Sequence, residues 1–248
     1  MLLASTTTGT GQPITCVHGF TQTSHSWQPF VDLLGNDWQR TSLDAPGHGQ
    51  SVDGTRTLEQ CGDDIAESSH GGALIGYSMG ARMALHAVLQ HPRSYDSLVL
   101  ISGTPGIEDD QERQTRQNND NVLADHIETI GVDAFIDEWL SQPLFAGLSN
   151  QAAQRQHRIE NTAKGLADSL RYAGTGTQRP IWDVLHLIDI PVLVVAGERD
   201  AKFVDIAQRM TNALPNATFI VIPQVGHTVH LEDTDTTVSA IRGWLSQR

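Results

Sequence analysis

The pentapeptide Gly76-Tyr77-Ser78-Met79-Gly80 limits what this chain can fold into more than any other stretch. It reads Gly-x-Ser-x-Gly, and its flanks say how it is used. Gly72-Ala73-Leu74-Ile75-Gly76 before it is short, apolar and bounded by glycine, as a buried strand is. Ala81-Arg82-Met83-Ala84-Leu85-His86-Ala87-Val88-Leu89 after it is rich in helix formers and lacks Gly and Pro. Strand, sharp turn and helix form the setting of a nucleophile elbow. Such a turn holds the serine in a strained backbone conformation, and small residues at Gly76 and Gly80 relieve the crowding. The hydroxyl then projects above the strand end, beside a helix N-terminus whose free N–H groups favour negative charge. Five residues alone read equally well as a glycine-rich turn that contains a serine, so the decision rests with the remaining chain.

Strand-like runs recur around the elbow. Ile14-Thr15-Cys16-Val17 leads into His18-Gly19-Phe20-Thr21, and a helix is expected from about Trp27 to Leu34. Gln39 to Leu43 reads as a strand ending in the breaker-rich Asp44-Ala45-Pro46-Gly47-His48-Gly49, and Leu58 to Ser69 as a helix. Ser97-Leu98-Val99-Leu100-Ile101-Ser102 is almost continuously apolar, as a parallel strand covered on both faces must be. From Thr104 to Asp183 strand-like runs vanish, and charged, Gln-rich helical segments carry Phe135, Trp139, Phe145, Tyr172 and Trp182. Strands return at Pro191 to Gly197 and Thr218 to Ile222, before a last helix from Thr236 to Leu245. This alternation predicts an α/β fold with a doubly wound, mostly parallel sheet. The expected division is a core of residues 1–103 and 184–248, with residues 104–183 inserted as a helical cap. Ligands of such sheets bind beyond the carboxyl ends of the strands, where the motifs outside the expected cap lie.

Composition narrows the function. A formal net charge of −13 over 248 residues argues against nucleic acid and anionic membranes as partners. A local arginine cluster still overrides that field at short range. Cys16 and Cys61 are too few for a disulfide framework and show no metal-ligand spacing. The N-terminus lacks the basic start and long apolar stretch of a secretory signal, and no run has the apolar length to span a bilayer, so a cytoplasmic location is expected.

A serine hydroxyl becomes an effective base or nucleophile only when a neighbouring base, most often histidine oriented by a carboxylate, takes its proton. After an elbow the acid and then the histidine follow in chain order. Gly197-Glu198-Arg199-Asp200 follows one late strand and Gly226-His227 the next, so Ser78, Asp200 and His227 stand in the required order. Glu198 competes with Asp200 for the acid. His230 competes with His227, but His227 directly follows a glycine, where the loop can turn inward. The backbone N–H groups of Phe20, after the first apolar strand, and of Met79, after the serine, are candidates for an oxyanion hole. His18 is expected to be a structural hydrogen-bonder.

His18-Gly19-Phe20-Thr21, Asp44-Ala45-Pro46-Gly47-His48-Gly49, the elbow, Asp200 and His227 together resemble the α/β-hydrolase superfamily over nearly the whole chain. A narrower set resembles the 2-succinyl-6-hydroxy-2,4-cyclohexadiene-1-carboxylate synthases of menaquinone biosynthesis. It comprises Gly76 to Arg82, Thr104-Pro105-Gly106-Ile107, Glu112 to Arg116, Trp139 to Phe145, Gly197 to Phe203 and Gly226 to Glu232. The superfamily pattern favours Asp200 over Glu198. Ala45 and Ala81 depart from it by small changes that leave the elbow intact.

The narrower resemblance implies a lyase. Its substrate carries a succinyl side chain, a ring carboxylate and an enolpyruvyl ether. Ser78, made basic by His227 and Asp200, would take a ring proton, and pyruvate would be eliminated. No cofactor or metal is implied, and oligomeric state is left open. A small polycarboxylate calls for planar, permanently charged donors, which favours arginine. Arg82 lies one helical turn after Ser78. Arg116 and Arg158 match cap arginines that grip carboxylates, and Tyr77 and Trp139 match further pocket residues. Arg113 and Arg155 are expected on solvated faces, Trp182 either as packing or in contact with ligand, and Lys202 either near the pocket or in water. The alternative function is a serine hydrolase, acting on an ester or a carbon–carbon bond with the same triad. A non-catalytic binding protein has no use for all three groups.

Overall fold

A computed structural model describes residues 1–247; Arg248, the last position of the expected core, lies outside the described residues. The chain begins with β1 (Ser5–Thr8), β2 (Gln12–Val17), α1 (Gln28–Leu34), β3 (Trp38–Leu43) and α2 (Leu58–Ser68). Then come β4 (Ala73–Tyr77), α3 (Met79–Gln90) and β5 (Ser97–Ile101). Five helices separate β5 from the next strand: α4 (Asp110–Ile130), α5 (Val132–Leu140), α6 (Asn150–Ala153), α7 (Arg155–Arg158) and α8 (Ala163–Ala173). The chain closes with β6 (Val192–Gly197), α9 (Ala201–Ala213), β7 (Ala217–Ile222), α10 (Val229–Glu232) and α11 (Thr234–Leu245).

The described residues form a seven-stranded sheet in the order β1-β3-β2-β4-β5-β6-β7, parallel throughout except for the antiparallel edge strand β1. Every residue of β4 and β5 is buried. Alternation sorts their side chains: Leu74, Leu98 and Leu100 join the apolar cluster on one face, and Ile75, Val99 and Ile101 the cluster on the other. The strand order reverses direction between β2 and β4, which makes a crevice at their carboxyl ends. Ser78 and Phe20 both follow strands that meet there.

β1 has no sequence signature, because its four polar residues, Ser5 to Thr8, are all exposed and show no apolar alternation. The expected Trp27–Leu34 helix divides into a 3-10 turn, Ser24–Trp27, and α1, whose first turn holds Pro29. The helix after the elbow starts at Met79, two residues earlier than the run of helix formers suggests.

The α4–α8 segment packs an apolar cluster of its own, with Ala124, Ile127, Phe135, Ile136, Leu166, Ala167 and Leu170, against which Phe20 and Trp139 lean. Asn161, buried before α8, fastens this segment to two loops of the sheet: its amide nitrogen donates to the Thr21 carbonyl (2.7 Å) and its oxygen accepts from the Gly49 N–H (2.8 Å). No helix among the described residues is long and apolar enough to cross a membrane.

Candidate active site

The elbow is built as the glycines require. Ser78 has φ 50° and ψ −106°, a left-handed backbone costly for a residue with a Cβ. A Cβ on Gly76 would sit 2.5 Å from the Gly80 carbonyl oxygen, and one on Gly80 would sit 2.1 Å from that of Val17. The two glycines thus let α3 start in contact with the ends of β4 and β2, and the turn is held by a 2.9 Å bond from the Ser78 N–H to the Ile101 carbonyl.

Around the turn, Ser78 Oγ lies 3.0 Å from His227 Nε2, and His227 Nδ1 lies 2.7 Å from Asp200 Oδ2. Asp200 caps α9, its other oxygen accepting from the Phe203 N–H (3.4 Å). Glu198 is turned elsewhere, accepting from the Gln224 N–H (2.8 Å). His230 is fully buried against Trp27 and Tyr77, and no hydrogen bond among the described residues engages either of its ring nitrogens. Three further groups orient the histidine: Ser102, at the end of β5, donates to the His227 carbonyl (2.9 Å), Glu232 accepts from the N–H groups of Gly226 (2.8 Å) and Thr228 (3.0 Å), and Phe203 packs edge-on against the imidazole. The sequence reading passed over Ser102; the signal available was a lone hydroxyl closing an apolar strand.

Met79 directly follows the serine and Phe20 lines the same cavity, and no hydrogen bond among the described residues engages the N–H of either. The loop carrying Phe20 is tightly set. Tyr77 packs where a Cβ on Gly19 would go, and the Gly19 N–H donates to Gln22 (2.9 Å). His18 Nδ1 donates to the Gly19 carbonyl (2.8 Å) and its Nε2 accepts from the Ala45 N–H (3.0 Å), so the imidazole is a structural bridge. Burial pulls its pKa down to about 4 and keeps it neutral.

A cavity of about 630 Å³ opens onto these groups, lined by Phe20, Ser78, Met79, Asp200 and His227 together with Arg82, Arg116 and Trp139. Arg82 is buried, with Nη1 donating to the Ala173 carbonyl (2.9 Å); burial first and then the nearby Arg116 pull its pKa down to about 10. Arg116 on α4 donates through Nε to Asp120 (2.7 Å), whose other oxygen accepts the Gly176 N–H (3.1 Å). Trp182, Lys202 and Arg209 line the far side, with the Arg209 guanidinium 4.3 Å from the centre of the Trp182 ring. Trp182 both packs against the core and faces the cavity, so its two expected positions coincide. Arg113 and Arg155 stay outside it, paired with Asp110 and with Asp133 and Asp137.

Arg158 and Tyr77 meet the serine in a second, adjoining pocket of about 40 Å³, shared with Phe20, Gln22, Trp139 and His227. Arg158 is 1% exposed, and desolvation pulls its pKa down to about 10. Its Nε donates to the Ala153 carbonyl (2.8 Å) and its Nη1 to the Thr21 hydroxyl. Its Nη2, the Gln22 amide nitrogen and the Trp139 indole N–H are buried, and no hydrogen bond among the described residues engages them. The side chains that carry these three donors all line the small pocket beside the serine, a set of groups chemically suited to a carboxylate.

The sequence profile described as the alpha/beta hydrolase family matches residues 16–240. A Bacillus subtilis (strain 168) protein provisionally named 2-succinyl-6-hydroxy-2,4-cyclohexadiene-1-carboxylate synthase is 38% identical over 236 residues, 89% of this chain and 85% of its own length. The Klebsiella pneumoniae subsp. pneumoniae protein named 2-succinyl-6-hydroxy-2,4-cyclohexadiene-1-carboxylate synthase is 31% identical over 97% of this chain and 98% of its own. Among solved structures, MenH from S. aureus superposes with a TM-score of 0.90 at 30% identity, covering 98% of each chain. The chain belongs to the alpha/beta hydrolase family and, within it, to the family of these synthases.

Proposed function

We propose that this protein is a carbon–oxygen lyase that eliminates pyruvate from 2-succinyl-5-enolpyruvyl-6-hydroxy-3-cyclohexene-1-carboxylate to give 2-succinyl-6-hydroxy-2,4-cyclohexadiene-1-carboxylate. Family membership supports the reaction. The observation that carries it to this chain is the company its serine keeps: Arg82 and Arg116 line the cavity and Arg158 the adjoining pocket. A neutral ester makes no use of three guanidinium groups, whereas a substrate with three carboxylates does.

In this reading Ser78, Asp200 and His227 are catalytic. The ring C–H beside the succinyl ketone is acidified because its electron pair, once released, delocalises onto the ketone oxygen. Ser78 Oγ removes that proton while passing its own to His227 Nε2, and Asp200 stabilises the resulting imidazolium through Nδ1. The Phe20 and Met79 N–H groups receive the developing oxyanion. Electrons then return through the ring, the bond to the ether oxygen breaks, and the departing enolpyruvate takes up a proton to become pyruvate. Arg82, Arg116 and Arg158 hold carboxylates, with Tyr77 and Trp139 shaping the pocket. Residues 104–183 form a cap that supplies Arg116, Trp139 and Arg158 and shields the anion from water. The partner is a small soluble polycarboxylate, and the setting is cytoplasmic.

The test is pyruvate release from the enolpyruvyl substrate, run beside hydrolysis of a short-chain aryl ester. Arg82→Ala and Arg116→Ala should each lower kcat/KM for the polyanion by about ten- to a hundredfold, the loss of one charge-assisted contact, and leave ester turnover within a few-fold. Ser78→Ala should abolish pyruvate release in a folded protein. Equal losses on both substrates, or ester turnover without pyruvate release, would leave a serine hydrolase in place of the lyase.

A further inference from the structure

Away from the catalytic cavity, three ligand-bearing side chains converge from two distant segments of the chain. His25 sits in the 3-10 turn after β2, His157 in α7, and Glu160 just beyond α7. The two imidazoles lie face to face, centroids 4.5 Å apart and planes within 10°. Glu160 serves both: one oxygen is 2.9 Å from His157 Nδ1 and the other 3.7 Å from His25 Nδ1. The Thr23 hydroxyl lies 3.5 Å from the same His25 nitrogen. Each of the three offers a ligand atom within 4.8 Å of the other two, and among the described residues this is the one such group of three or more.

We propose that His25, His157 and Glu160 form a site for a borderline divalent cation of the zinc class, which clamps α7 to the turn after β2. Two neutral imidazoles and one carboxylate select zinc, nickel or copper ions over magnesium and calcium, which prefer all-oxygen shells. Zinc–ligand bonds of about 2.0–2.2 Å place tetrahedral donors roughly 3.3 Å apart. An imidazole binds a metal in its ring plane, so the two rings must swing out of their stack to share an ion, and surface side chains have room to do so: side-chain exposures are 51% for His25, 41% for His157 and 42% for Glu160. Water completes the fourth position. The bound ion also replaces an arrangement that otherwise leaves two imidazoles stacked on one carboxylate.

The consequence is mechanical. The turn bearing His25 follows the loop that carries Phe20 and Gln22, and His157 directly precedes Arg158. A metal bridge therefore ties the two segments that frame the small pocket. It requires no change in the lyase chemistry, so the inference stands apart from the proposed reaction.

The test titrates chelator-treated, full-length protein with zinc chloride by calorimetry and follows the melting temperature in parallel. The expected result is one equivalent of zinc bound with a rise of several degrees in Tm, and no comparable binding of magnesium. Removing a ligand should weaken binding at least as much as removing a group behind one, so His25→Ala, His157→Ala and the milder Glu160→Gln should each lower affinity by about tenfold or more. The Tm rise should vanish in His25→Ala/His157→Ala. These side chains are exposed and outside the catalytic groups, so the variants should keep their circular dichroism and basal pyruvate release. No zinc bound, affinity unchanged in His157→Ala, or binding without a rise in Tm would each overturn the proposal.

Discussion

Ser102 and the buried histidines show how much is settled by single side chains. The Ser102 hydroxyl donates to the His227 carbonyl, and no hydrogen bond among the described residues links it to Ser78 or Asp200, so it acts by keeping the imidazole on line. Ser102→Ala should lower kcat by about three- to thirtyfold with little change in KM, in the range of one lost hydrogen bond. His18, His48 and His230 are buried neutral, with pKa values pulled down to about 4, 3 and 3, chiefly by desolvation. Unfolded, each titrates near 6.5. Between these limits the unfolded chain binds more protons, so stability is full above about pH 6.5 and falls as the pH drops toward 4. The slope is about 1.4 kcal/mol per pH unit for each group. Urea titrations between pH 7 and 4.5 should show this decline. His230→Leu, which also removes two buried nitrogens without hydrogen-bond partners, should reduce the slope by roughly one group's share.

At the scale of elements, the elbow depends on backbone meeting backbone. A methyl group on Gly80 would press on the Val17 carbonyl at 2.1 Å, and neither side of that contact is a flexible side chain. Gly80→Ala should push α3 away from β2, part the Met79 and Phe20 N–H groups, and lower both stability, by about 1–3 kcal/mol, and kcat. Chemical denaturation and pyruvate release measured on the same preparation check both. This part of the molecule was legible beforehand, because glycine spacing and apolar runs are local signals. The placement of Asp200 and His227 near Ser78 was legible for a related reason: residues just after neighbouring parallel strands fall on one rim of the sheet. β1 was not legible, since a short hydroxyl-rich edge strand is defined by its partner β3 and not by its own pattern. Arg158 was named through the family resemblance, but the local turn that delivers it was not legible: Gln154, in a left-handed conformation at φ 51°, redirects the chain between α6 and α7.

Over the whole molecule, the α4–α8 segment and the sheet are joined through polar contacts as well as packing. Asn161 is central, because one side chain on the α4–α8 segment satisfies a backbone group on each of two sheet loops, at Thr21 and Gly49. Asn161→Ala would leave a buried N–H and a buried carbonyl without these bonds. It should cost about 2–4 kcal/mol and raise KM more than it lowers kcat. Thermal melts and steady-state kinetics would reveal either effect. The formal charge of −13 is also read only at this scale: Arg82, Arg116, Lys202 and Arg209 gather on the cavity wall among Glu108, Asp109, Glu112, Asp120 and Asp200, so cations and acids are close to balance there. Net charge alone carries no sign of that local gathering of cations, which only the fold creates.

A guanidinium sealed in the interior with one arm idle is a standing invitation to whatever small anion the solution contains. Chloride, sulfate or a buffer carboxylate should settle beside Arg158 Nη2, raise the melting temperature and compete with substrate. Apparent KM should then climb with the concentration of such ions in the wild type, and in Arg158→Met that dependence should flatten. An affinity measured in acetate and one measured in a zwitterionic buffer would accordingly belong to two different resting states of the same protein.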